Sequence, residues 1–126
     1  ASVKMLPATA RVLQRGHASK GDVLAVARIA GIQASKRTPE LIPLCHAIAI
    51  TRAEVTFELE TRTGRLEIEA RVHALDRTGV EMEALTAASV AALTVYDMLK
   101  AIDRGMTIER IALHEKQGGK TGRWTR

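Results

Sequence analysis

Apolar and polar residues alternate in the middle of the chain. Residues 52–60 place an apolar side chain at every second position, and residues 66–73 repeat this pattern after the short segment 61–64. Strict alternation over such a length is typical of a strand with one buried face, and a short loop containing Gly commonly joins two hairpin strands. The pattern therefore predicts an antiparallel hairpin with one apolar and one charged face.

Two stretches before the hairpin have a helical pattern instead. Residues 8–15 end at Gly16, a residue that often terminates helices. Asp22 can cap a second helix, whose body is apolar nearly all round. Because a chain of 126 residues has little interior to bury such a helix, this pattern suggests an oligomer. Thr38 and Pro39 then predict the start of a further helical turn, with Thr38 as its N-cap.

A longer helix and a last strand follow the hairpin. Thr78 and Glu81 have the spacing of a capping box, and the helix they open is predicted to run to about Ile102. Residues 106–114 predict a strand, in which the alternation slips after Ile108 as it does at a β-bulge.

This order of elements favours an α+β protein. Helix, helix, strand, strand, helix and strand predict a ferredoxin-like two-layer sandwich, with an antiparallel sheet and helices packed on one face. Residues 1–126 are expected to form a single domain, in which residues 117–126 are a flexible basic tail. The first strand of such a fold is not evident in residues 1–7.

Charge and composition narrow the ligand class. The net charge is +5, which favours anionic ligands, yet aromatic residues make up only 2 %, too few to offer stacking platforms to nucleic acid. We therefore expect the ligand to be a phosphorylated small molecule rather than nucleic acid or a membrane. No apolar run reaches the roughly 20 residues that span a bilayer. The single Cys suits the cytoplasm, and the absence of Asn suggests a thermophilic source.

Several side chains are candidates for chemistry, each with a plainer alternative. Asp97 and Lys100 share a helix face, which fits either a surface ion pair or an acid–base pair. Glu83 could accept hydrogen bonds from a purine-like ring, whereas Glu81 has a plainer role in the predicted capping box. His46 beside Cys45 fits packing as well as catalysis.

Lysines carry the case for an anionic ligand, and two common motifs are excluded. Lys20 precedes a helix N-terminus, where anions bind well; the other candidates are Lys36, Lys116 and Lys120. Gly119-Lys120-Thr121 is not a P-loop, because His114 stands where that motif needs Gly. The spacing of Cys and His predicts no metal site.

Long motifs follow one another along residues 20–122: KGDV at 20–23, ARIAGIQA at 27–34, KRT at 36–38, LIPLCH at 41–46, GVEMEALTAASVAALT at 79–94, YDM at 96–98 with Lys100, and GGKTG at 118–122. Read together and in this order, these motifs resemble those of the cyclic pyranopterin monophosphate synthase family. Residues 1–7 do not match the Met-Val-Asp-Val segment with which members of that family usually begin.

The resemblance implies roles for particular residues. Asp97 corresponds to the catalytic acid/base of the family, and Lys20 and Lys100 to its essential lysines. The positions that correspond to substrate-binding residues are Leu44, Cys45, His46, Glu81, Met82, Glu83, Lys36, Lys116 and Lys120.

The resemblance also implies a reaction and an assembly. The family is a group of lyases of molybdenum cofactor biosynthesis, which convert 3′,8-cyclo-7,8-dihydroguanosine 5′-triphosphate to cyclic pyranopterin monophosphate and release pyrophosphate. No redox cofactor is implied, and Mg²⁺ with the triphosphate is left open. The implied partner is a second copy of the chain, in a homohexamer (a trimer of dimers) with active sites at interfaces. An RNA-binding module and a nucleotide-sensing domain without catalysis are the alternatives.

Overall fold

The elements of the chain were located in a computed structural model, which describes residues 1–75, 78–118 and 122–126. Within these residues the order is β1 (Ser2–Lys4), α1 (Pro7–Arg15), α2 (Val23–Ser35), α3 (Thr38–Leu41), β2 (Ile50–Glu60), β3 (Arg65–Ala74), α4 (Glu81–Leu99), β4 (Thr107–Arg110), β5 (Glu115–Lys116) and β6 (Trp124–Thr125).

Four of the strands form one antiparallel sheet in the order β2-β3-β1-β4. Helices α2 and α4 pack against each other and against β2 and β3. The buried apolar side chains lie between these two layers and form one cluster. The α+β class is therefore confirmed, and the arrangement is the ferredoxin-like two-layer sandwich that the pattern predicted.

The β2–β3 hairpin is the antiparallel pair that the alternation predicted. A four-residue loop separates Glu60 from Arg65, and residues of the apolar face lie opposite one another: Val55 and Ala70, Phe57 and Ile68, Leu59 and Leu66. The alternation was reliable here because both strands bury one face only.

The first strand lies where none was expected. Residues 2–4 form β1, which pairs with β3 on one side and with β4 on the other, and Val3 is fully buried. Three residues are too few to show an alternating pattern, so only pairing on both sides identifies this strand. The predicted bulge in the last strand is confirmed, because Ser2 pairs with Arg110 while Val3 pairs with Ile108.

The predicted N-cap of one helix is confirmed, and the predicted N-caps of two others are wrong. Asp22 caps α2 by accepting a hydrogen bond from the Ala25 N–H at 3.0 Å. Thr38 is not an N-cap: it lies inside α3, and its hydroxyl donates to the Ser35 carbonyl at 3.0 Å. The predicted capping box is also wrong, since Val80 is the N-cap of α4.

The structure ends α4 earlier than predicted and pairs residues near the C-terminus. Helix α4 ends at Leu99, three residues before the predicted end. Within the segment predicted to be a flexible basic tail, Trp124–Thr125 pairs with Glu115–Lys116, which lies just before that segment. By length and composition α4 could cross a membrane, but half of it is buried against α2 and the sheet, as the core helix of a fold is.

Candidate functional site

One cluster of charged side chains lies at the C-terminal end of α4. Asp97 accepts hydrogen bonds from Lys100 Nζ at 2.6 Å through Oδ1 and from Lys20 Nζ at 2.8 Å through Oδ2. Lys20 also donates to the main-chain carbonyl of Asp97, at 3.1 Å. Lys100 is the C-cap residue of α4, three positions after Asp97, and Lys20 comes from the loop before α2. We call these three residues the lysine–aspartate cluster.

The two ammonium groups make Asp97 a stronger acid than usual. The hydrogen bond from Lys100, followed by that from Lys20, lowers the pKa of Asp97 from 3.8 to about 2. Asp97 is therefore an ionised carboxylate at neutral pH, and about half of its side chain is exposed. Each lysine has three N–H donors, so both can bind phosphate oxygens as well as Asp97. The cluster thus combines a base with two cationic ligands for phosphate.

A second pair lies at the other end of α4, in a groove of about 1000 Å³. Lys116 Nζ is 2.8 Å from Glu81 Oε1, and the two side chains are only 20 % and 26 % exposed. The hydrogen bond from Lys116 lowers the pKa of Glu81. Glu81 is the first residue of α4 and Lys116 belongs to β5, so the chain brings together residues 35 positions apart.

The groove is lined mainly by β3, by residues 112–118 and by the first turns of α4. The α4 residues Ala84 and Ala88 that line it are small and add little bulk to the groove. Sequence reasoning missed the polar residues of its walls: Arg71, His73 and His114 also line it. No sequence motif marks either His as a ligand-binding residue, and the alternation of residues 66–73 places His73 on the charged face without indicating that a groove adjoins it.

The remaining substrate-binding candidates lie near the start of α4 or in the loop after α3. Leu44 is 98 % exposed and His46 is exposed, whereas Cys45 is half-buried. Glu83 is only 3 % exposed, and its neighbour Met82 is 37 % exposed.

Some candidates stay apart from both charged groups. Lys36 is exposed at the end of α2. Across residues 1–75, 78–118 and 122–126, no hydrogen bond or ion pair joins the side chains of residues 44–46 to Lys20, Asp97 or Glu81. Lys120 lies outside the described residues.

The two charged groups cannot share one small ligand within a single chain. Asp97 follows Glu81 by 16 positions on α4, and a rise of 1.5 Å per residue separates their main chains by about 24 Å. The lysine–aspartate cluster and the Glu81–Lys116 pair therefore lie apart on one copy of the chain.

Metal binding and RNA binding find little support in the described part of the chain. No three His, Cys, Asp or Glu residues there come together as a group that could hold a metal ion. Phe57, the aromatic residue that an RNA-binding sheet would have to present, is half-buried on the apolar face, and the Arg28 guanidinium lies 5.4 Å from its ring centre. Its face is thus already covered by this protein's own side chain.

Comparison with known proteins agrees with the resemblance found in the sequence. A model of the MoaC family matches residues 1–119. A protein of Thermomicrobium roseum named cyclic pyranopterin monophosphate synthase is 62 % identical over 124 residues, which are 98 % of this chain and 75 % of that protein. A protein of the same name from Geobacter metallireducens is 57 % identical over 126 residues, which are 100 % of this chain and 79 % of that protein. On this match and these identities, the chain belongs to the MoaC family.

Proposed function

We propose that this chain converts 3′,8-cyclo-7,8-dihydroguanosine 5′-triphosphate to cyclic pyranopterin monophosphate and pyrophosphate, as a lyase of molybdenum cofactor biosynthesis. Membership of the family and the names of the two relatives support this activity. The observation that carries it is the lysine–aspartate cluster, in which a carboxylate and two ammonium groups lie within hydrogen-bond distance. Such a cluster offers both a base and a positive site for a triphosphate.

The charges suggest how the steps are divided among the residues. Lys20, Lys116 and Lys120 neutralise the triphosphate and the leaving pyrophosphate, because positive groups placed where negative charge develops lower the barrier. Asp97 and Lys100 move protons while the five-membered ring of guanine opens and the pyranopterin closes. In the free protein Asp97 has a pKa of about 2 and is a weak base. Phosphate oxygens that draw the lysines away raise this pKa, so ligand binding itself activates Asp97.

The guanine ring of the substrate carries N–H donors and needs hydrogen-bond acceptors, which the start of α4 supplies. Glu81, which lines the groove, and its neighbour Glu83 accept the N–H donors of the guanine or pterin ring. In this proposal Leu44, Cys45, His46 and Met82 contact the ring from the side, and Lys36 lies near the phosphates.

Two copies of the chain complete each site in this proposal, within a homohexamer built as a trimer of dimers. The separation of about 24 Å between the half-sites supports it, since a lysine–aspartate cluster of one copy can adjoin the groove of another. The helical layer also exposes large apolar side chains that a partner could cover: Val26, Ile29 and Leu93.

We further propose that the reaction needs no redox cofactor, and that any Mg²⁺ arrives with the triphosphate rather than on a protein site. A cytoplasmic location and a thermophilic source complete the proposal. They are supported by the single Cys and by the lack of Asn.

The proposal is tested by incubating the purified protein with the cyclic triphosphate and measuring pyrophosphate and, after oxidation, the fluorescent pterin. We expect product, and a loss of kcat/KM of about 100-fold or more in Lys20→Ala and Asp97→Asn. Arg62→Ala is the matched control, because it removes a charge from the exposed hairpin loop. Binding of the triphosphate without product would instead indicate a nucleotide-sensing domain.

Sharing of sites between copies has its own test. Lys20→Ala and Glu81→Ala are each expected to lose activity, since each damages a different half-site. In randomly mixed oligomers of the two, sites that combine the intact halves should restore about a quarter of the parent activity. No recovery in oligomers shown by mass to be mixed would place both half-sites of each active site in one copy.

A further inference from the structure

Gly79 lies against the carboxylate of Glu81. A Cβ atom added to residue 79 would lie 2.1 Å from Glu81 Oε2 and 2.7 Å from Oε1. Real Cβ contacts are essentially never shorter than 3.0 Å. The carboxylate of Glu81 therefore occupies the space in which any other residue at position 79 would carry its side chain.

The conflict involves the carboxylate and not the main chain. The φ angle of Gly79 is outside the left-handed region that favours glycine, and the three atoms nearest to the added Cβ all belong to the end of the Glu81 side chain. A flexible side chain can rotate away, so alanine at position 79 would move the carboxylate without breaking the fold.

Alanine at position 79 would move the Glu81 carboxylate out of the position in which it binds Lys116. Glu81 is the first residue of α4, and its side chain turns back toward the preceding loop instead of extending along the helix. In that position Oε1 accepts the hydrogen bond from Lys116 at 2.8 Å. Both residues line the groove, so this pair sets the charges that a ligand meets there.

We propose that Gly79 is a positioning residue for the ligand-binding groove: its missing side chain provides the space in which the Glu81 carboxylate meets Lys116. The consequence for catalysis rests on the proposed function, because it requires that Glu81 contacts the substrate. The geometric statement does not, because it concerns only where the carboxylate lies in the free protein.

The first experiment measures the Glu81 carboxyl by NMR titration in the parent, in Gly79→Ala and in Gly105→Ala. Gly105 is the matched control, since its added Cβ would meet only Asp103 Oδ1, at an ordinary 3.5 Å. We expect the pKa of Glu81, which Lys116 lowers in the parent, to rise in Gly79→Ala only. An unchanged Glu81 titration in a folded Gly79→Ala protein would overturn the proposal.

The second experiment is a double-mutant cycle on activity. Gly79→Ala is expected to raise KM more than it lowers kcat and to reduce kcat/KM about tenfold, as loss of one charge-assisted hydrogen bond does. In a Glu81→Ala background the same substitution should change nothing, because the carboxylate it displaces is gone. An equal loss in both backgrounds would overturn the proposal. A shifted Glu81 titration in a protein that makes no product would overturn the proposed function and leave the positioning role intact.

Discussion

Gly64 approaches the main chain of Met5 so closely that a Cβ on residue 64 would lie 2.1 Å from the Met5 carbonyl oxygen. The Met5 N–H donates to the Gly64 carbonyl at 2.8 Å, so the hairpin loop is bonded to the chain just after β1. This contact holds the short first strand beside β3, and it requires a residue without a side chain.

Gly64→Ala should therefore destabilise the protein strongly. The φ angle of Gly64 is +69°, which already strains alanine, and the clash with Met5 is added to that strain. We expect a loss of about 2–4 kcal/mol in urea unfolding. Gly16→Ala is the matched control, because Gly16 has a φ of +67° and nothing within 4 Å of its added Cβ. Equal losses in the two variants would show that the contact with Met5 is unimportant.

A buried carboxylate joins the start of α1 to the turn after α4. Asp103 is 6 % exposed and accepts hydrogen bonds from the Leu6 N–H at 2.9 Å, the Thr9 hydroxyl at 3.0 Å and the Gly105 N–H at 3.1 Å. Asp103→Ala leaves these donors without their acceptor, and we expect a loss of about 3 kcal/mol in thermal or urea unfolding. Thr9→Val removes a single hydrogen bond to Asp103 and should cost clearly less. Similar losses in the two variants would show that Asp103 does not stabilise the fold through all three of its donors.

Gly31 sets the distance between α2 and α4. Its added Cβ would lie 2.8 Å from the Ala87 carbonyl oxygen and 3.1 Å from Val55 Cγ2. Alanine gains about 1 kcal/mol of helix propensity over glycine, whereas overpacking costs about 1–3 kcal/mol. Because the shortest of these contacts is with a carbonyl of the main chain, we expect Gly31→Ala to lower the melting temperature. A variant as stable as the parent would show that the two helices separate easily.

The titration of Asp97 tests the lysine–aspartate cluster without substrate. NMR of the Asp97 carboxyl should give a pKa of about 2 in the parent. Lys100→Met should raise it toward 3.8, and by more than Lys20→Met does, because the hydrogen bond from Lys100 is the largest cause of the shift. The opposite order would contradict the geometry at this end of α4.

The same shift gives a sign for the dependence of stability on pH. Since the pKa of Asp97 is lower in the folded protein than its ordinary 3.8, the ion pairs stabilise the fold above that pH and stop doing so as the pH falls toward 2. The exposure of these side chains makes the effect small. Substitution of Asp97 by Asn should therefore flatten the acid end of the stability profile slightly, as measured by urea unfolding between pH 2 and pH 5.

Local patterns in the chain were sufficient for some elements and insufficient for others. The alternation of residues 52–60 and 66–73 predicted the hairpin, and Asp22 predicted the start of α2, because both depend on neighbours in sequence. The position of β1 depends on its pairing with β3, which comes more than 60 residues later. Thr38 and Thr78 are not N-caps as predicted, because α3 begins at Thr38 itself and α4 begins at Glu81.

For the candidate site, the residue types and motifs by themselves determined the family, and the i, i+3 spacing predicted that Asp97 and Lys100 meet. Only the tertiary structure brings Lys20 to Asp97 across 77 positions and Lys116 to Glu81 across 35, and only it separates these two groups along α4. Helical spacing reaches one turn, whereas ion pairs between distant segments depend on how helices and strands pack. The space that Gly79 leaves for a carboxylate belongs to that packing as well.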